Sequence, residues 1–98
     1  MRSRKGLYKH KMNWGDNIMY FPTLDAVAVG KVIADFRKKR GVSQEVLSGL
    51  ADIGRSHLSA IERGERKPTL ETFYRICCAL DVRMSTVIAK LEEELGGV

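Results

Sequence analysis

The 98-residue sequence predicts an all-α fold: a five-helix domain, preceded by an N-terminal arm that forms a short β-hairpin. Three observations carry this. Apolar residues recur at spacings of three and four from Val29 to Leu95, the period of helices packed on one core. Glycine, proline and Ser/Thr signals cut that pattern into helix-sized pieces. Residues 43–64, SQEVLSGLADIGRSHLSAIERG, then join two short helical patterns through a tight turn, the outline of a helix-turn-helix.

Residues 1–25 read as the arm, basic at its start (Arg2, Arg4, Lys5, Lys9, Lys11) and aromatic later (Trp14, Tyr20, Phe21). LYKHKM and NIMYF flank Asn13, Trp14, Gly15 and Asp16, which predicts a hairpin over residues 7–21. Pro22 and Thr23 separate it from a domain of residues 26–98. The first helix is expected from residue 24 or 26 to 40, with Val29, Ile33 and Phe36 inward and Gly41 as its stop. Ser43 caps a second helix over 44–51, whose apolar stripe is Val46, Leu47 and Leu50. Asp52, Ile53 and Gly54 break the run. A third helix over 55–63 turns Leu58 and Ile61 inward, and Gly64 suits its left-handed stop. Pro68 bars the third helix from the fourth, 70–80, capped by Thr69 with Leu70, Phe73, Tyr74, Ile76, Cys77 and Leu80 in its pattern. The fifth is expected over 86–95 with Ser85 as its cap; Val87 and Ile88 complete the core, while Leu91 and Leu95 extend beyond it.

Charge and composition narrow the function. The net charge of +5, from 17 basic and 12 acidic residues, favours a polyanionic partner. The basic residues gather in the arm, at Arg37–Arg40 and at Arg63, Arg66 and Lys67, while Glu92 to Glu94 make the last helix acidic. No stretch approaches the roughly 20 apolar residues of a membrane span, and no apolar signal-peptide core is present, so no membrane partner and a cytoplasmic setting are expected. Cys77 and Cys78 are adjacent and unsuited to a mutual disulfide, and plain core packing is expected for at least one of them. His10 and His57 lack ligand spacing to that pair, so no metal is expected, and nothing points to a cofactor. With no triad, phosphate loop or paired carboxylates, the chain is not expected to be an enzyme.

The outer face of the third helix is polar and free of acids, as a helix entering a major groove requires. Arg55, Ser56 and Ser59, with Ala60 in apolar contact, are the expected base readers, and Arg55 pairing with guanine leads them. His57 is expected at a phosphate or base. Arg63, Arg66 and Lys67 supply phosphate contacts in the loop that follows, and Gln44 does so where the second helix opens. Glu62, an anion, is expected to pair with Arg37 or Arg40 instead of facing DNA.

GKVIADFRKKRGVSQEVL, SHLSAIERGERKPTLETFYRICCALDV and the last helical segment, in this order, resemble the phage repressor and Cro-like helix-turn-helix domains, the XRE family, from about Val29 to Leu91. The chain departs from that pattern at Asp52, where the family usually has glycine, and at Ser48, where it usually has alanine. The resemblance implies a sequence-specific regulator of transcription on double-stranded DNA, and a phosphate role for Gln44. A homodimer through Leu91 and Leu95, or through the arm, would set two recognition helices about 34 Å apart on a palindromic operator, as a repressor requires. The aromatic arm leaves open an antitoxin-like alternative that neutralises a protein partner and binds DNA secondarily.

Overall fold

In the computed structural model, residues 23–96 are described, and they form five helices: α1 (Ala26–Lys39), α2 (Gln44–Ala51), α3 (Arg55–Glu62), α4 (Leu70–Ala79) and α5 (Met84–Glu94). The expected hairpin, the basic head and the aromatic residues of the arm lie outside the described residues. α1 packs on α3 and α5, α2 on α3 and α4, and α4 on α5. Their common core holds Val29, Val32, Ile33, Leu47, Ala51, Leu58, Ile61, Phe73, Ile76, Cys77, Leu80, Val87 and Leu91.

The ends of these helices follow from local chemistry. Ser43 accepts from the Val46 amide and Thr69 from the Thr72 amide, as expected, and Asp25 does the same for Val27 at the start of α1. Helices α1 to α4 close on the left-handed residues Gly41, Asp52, Gly64 and Asp81, as α5 does on Gly96. After each of the first four, the next amide reaches back five residues, as in Ile53 to Ser48 and Val82 to Cys77, both at 3.0 Å. Asp52 thus takes the backbone shape of the glycine it replaces, with φ of 55°. Ser48 is buried and returns its hydroxyl to the Glu45 carbonyl at 3.1 Å, which satisfies the polar atom that alanine would lack.

Several expectations need correction. Val46 and Leu50 are exposed, because α2 meets α3 and α4 along Leu47, Ser48 and Ala51 instead. Leu70 and Tyr74 are likewise exposed on α4, and Phe36 is only partly buried. Ser85 does not cap α5. The helix starts two residues earlier, at Met84, with Arg83 at the cap position and no side-chain bond there. The left-handed Asp81 turns the chain so sharply that Val82 and Met84 pack on the core at once, and the Thr86 amide already bonds the Arg83 carbonyl. Leu91 is buried and Ile88 exposed, the reverse of the expectation, since α5 meets the core along Val87 and Leu91. The cysteines divide: Cys78 is exposed, while Cys77 is buried and burial pushes its thiol up to about 11.

Candidate nucleic-acid interface

The helix-turn-helix consists of α2, the turn Asp52, Ile53, Gly54, and α3. Two contacts hold its second helix in place. At Gly30, in the middle of α1, a side chain would run into the backbone of α3, with the Glu62 carbonyl oxygen only 2.7 Å from a β-carbon there. The α1 and α3 backbones therefore approach as no other residue would allow. Sequence reasoning missed this, although glycine inside a helix costs about 1 kcal/mol against alanine and so signals a packing reason.

The second contact is ionic. Arg37 donates from Nε and Nη2 to the Glu62 carboxylate at 2.7 and 2.9 Å, and from Nη1 to the Val42 carbonyl at 2.9 Å. Gln44 Nε2 donates to the same carboxylate at 2.9 Å. The end of α1, the start of α2 and the end of α3 thus meet on one anion. These hydrogen bonds outweigh desolvation and hold the Arg37 guanidinium more firmly protonated than usual. The expected partner of Glu62 is therefore Arg37. Arg40 turns instead to Asp81, donating to its carbonyl at 2.8 Å. Gln44, expected at a phosphate, has one amide hydrogen committed to Glu62.

The remaining expected site residues sit on or beside α3. Arg55 and Ser56 are exposed on its first turn, where Gly54 provides no side-chain cap and the turn itself contains no acid. The free amides there make a positive helix end. His57, Ser59 and Ala60 are partly buried, and Arg63, Arg66 and Lys67 are exposed. Among the described residues, Arg55, Arg66 and Lys67 form no ion pair, whereas Arg63 pairs with Glu65. Lys67 also borders a cavity of about 160 Å³ lined by Leu24, Leu70, Phe73, Ile88 and Leu91, away from the first turn of α3 in sequence and on the α4–α5 side. Two contributors were not foreseen. Arg75 on α4 donates to the carbonyl of Asp52 at 3.4 Å, and Glu65 engages Arg63. Nothing in helical periodicity marks either one, since both act between elements or beyond a helix end.

An exposed, unpaired arginine at a positive helix end can meet base edges or phosphate, and a flanking set of cations can meet phosphates. Comparison with known proteins agrees with this chemistry. Residues 33–87 match the Helix-turn-helix family. An uncharacterised HTH-type transcriptional regulator, y4dJ, of Sinorhizobium fredii is 32% identical over 65 residues, covering 66% of this chain and 84% of that protein. The restriction-modification controller protein C.AhdI from Aeromonas hydrophila superimposes with a TM-score of 0.63 at 31% identity, covering 66% of this chain and 98% of the other. The controller protein C.Esp1396I, solved as a tetramer in complex with its natural 35 base-pair operator, gives 0.69 at 27% identity, covering 76% and 97%.

Proposed function

This chain belongs to the helix-turn-helix family of DNA-binding transcriptional regulators, and on that premise we propose that it works as a homodimeric repressor reading a palindromic operator. The carrying observation is the anchored α3: Gly30 and the Glu62 network hold it from behind, and Arg55 and Ser56 stand free at its positive end. A side chain that reads bases must be aimed by a rigid element, and this one is. Arg55, Ser56, His57, Ser59 and Ala60 face the groove; Gln44, Arg66 and Lys67 flank it, and Arg63 stands at the C-terminal end of α3. Work in the cytoplasm, where a regulator meets DNA, goes with this role; no helix among the described residues is long and apolar enough to cross a membrane. The family is one of regulators and not an enzyme class.

The two-fold contact is assigned to the face carrying Leu70, Ile88 and Leu95, all exposed, since Leu91 is taken up by the core. A second copy is the occupant that a palindromic operator requires. Ile88→Glu with Leu95→Glu should then give monomers in sedimentation with helicity retained, whereas deletion of residues 1–22 should leave the dimer; the opposite pattern would move the contact to the arm.

Selection of bound duplexes from a random library, followed by salt titration on the winner, tests the whole reading. A two-fold motif whose binding weakens steeply with salt is expected, because each phosphate neutralised releases counterions. No enrichment, together with a flat salt response, would remove DNA as the main ligand.

A further inference from the structure

Arg63 closes α3 and carries a contact set unlike that of any other cation near the interface. Glu65 accepts from its Nε and from Nη2 at 2.8 and 3.0 Å, and Ser59 Oγ accepts from its Nη1. A guanidinium holds five N–H donors in one rigid plane. Three are taken within the protein, which leaves one N–H free on each terminal nitrogen. Both members of the pair are exposed, so the contact contributes little to stability, yet it fixes the direction of a long side chain. Arg55, Ser59 and Arg63 also recur every four residues, so they line one stripe of the helix.

We propose that Arg63 is a second base-reading arginine, aimed at a guanine edge by Glu65 and Ser59; this rests on the DNA-binding reading above. The charges argue for a base over a phosphate. An arginine already neutralised by a carboxylate brings almost no net charge to the DNA backbone, and the neighbouring Glu65 repels it. A guanine edge is uncharged and asks for two aligned donors at O6 and N7. Arg66 and Lys67 have no such acid partner among the described residues and suit the phosphates. Glu65 is then a positioning residue, acting on DNA only through Arg63.

The test repeats operator selection on the full chain with Arg63→Ala, Arg63→Lys and Glu65→Ala. Arg63→Ala should lower the preference for guanine at one position of each half-site about tenfold or more. Arg63→Lys keeps the charge and loses the planar fork, so it should weaken the same position without changing the salt slope. Glu65→Ala should weaken that position too, with an unchanged melting curve showing an intact fold. A uniform loss across all sequences for Arg63→Ala, with the salt slope reduced by about one, would make Arg63 a phosphate contact and overturn the proposal. An unaltered motif for Glu65→Ala would overturn the positioning role. A wild-type chain that selects no motif at all would remove the DNA-binding reading, and this proposal with it.

Discussion

Glu62 and Arg63 are consecutive residues, and each is half of an Arg–Glu pair with two parallel hydrogen bonds, yet the pairs have opposite surroundings. The Arg37–Glu62 side chains are 12% and 5% exposed; those of Arg63 and Glu65 are 55% and 59% exposed. The geometry is shared, so the difference lies in water. A buried pair binds its partners obligatorily, because removing one strands the other's charge in a medium that solvates it poorly. An exposed pair holds its partners loosely and can only aim them. One residue along the chain therefore separates a buried anchor of the fold from an exposed pair proposed to aim a DNA contact.

The comparison can be broken or sharpened at five positions, from the largest effect down. Glu62→Ala leaves Arg37 and Gln44 without their acceptor and should cost about 3–5 kcal/mol in urea unfolding; a loss below about 1 kcal/mol would mean that the junction is not an anchor. Gly30→Ala pushes α1 off α3 and should cost about 1–3 kcal/mol despite a better helix propensity. Gly49→Ala, whose new methyl meets open space on α2, should instead gain about 0.5–1 kcal/mol, so a thermal melt of both variants isolates the close approach from propensity. Asp52→Gly removes a side chain from the left-handed region and should stabilise by about 0.5 kcal/mol, with the Arg75 contact kept because it uses the backbone carbonyl. Glu65→Gln, the mildest, should leave the unfolding midpoint in place. A clear drop there would show that the exposed pair supports the fold after all and would erase the contrast with Glu62.

Much of this molecule is legible one residue at a time. Ser43, Thr69, Gly41 and Gly64 act on amides and carbonyls a few residues away, so their roles are written in short stretches of sequence. The order of helices and the turn at Asp52 follow, and so does the placement of Arg55 and Ser56 on the first turn of α3. Errors arise where a helix has two apolar flanks. Leu47 and Leu50, or Ile88 and Leu91, both satisfy a spacing of three, and neighbouring positions differ by about 100° around the axis. Only the neighbouring helix selects which flank is covered.

Local sequence thus determined the helices, most of their ends and the residue types on the outer face of α3, since these depend on hydrogen bonds and spacing within a turn or two. Tertiary structure alone decided that Leu91 is core and Ile88 is surface, that Gly30 is a point of contact, and that Glu62 gathers Arg37 and Gln44. Those outcomes join residues 18 to 25 or more positions apart, and burial and charge pairing are properties of the assembled neighbours, not of the chain that carries them.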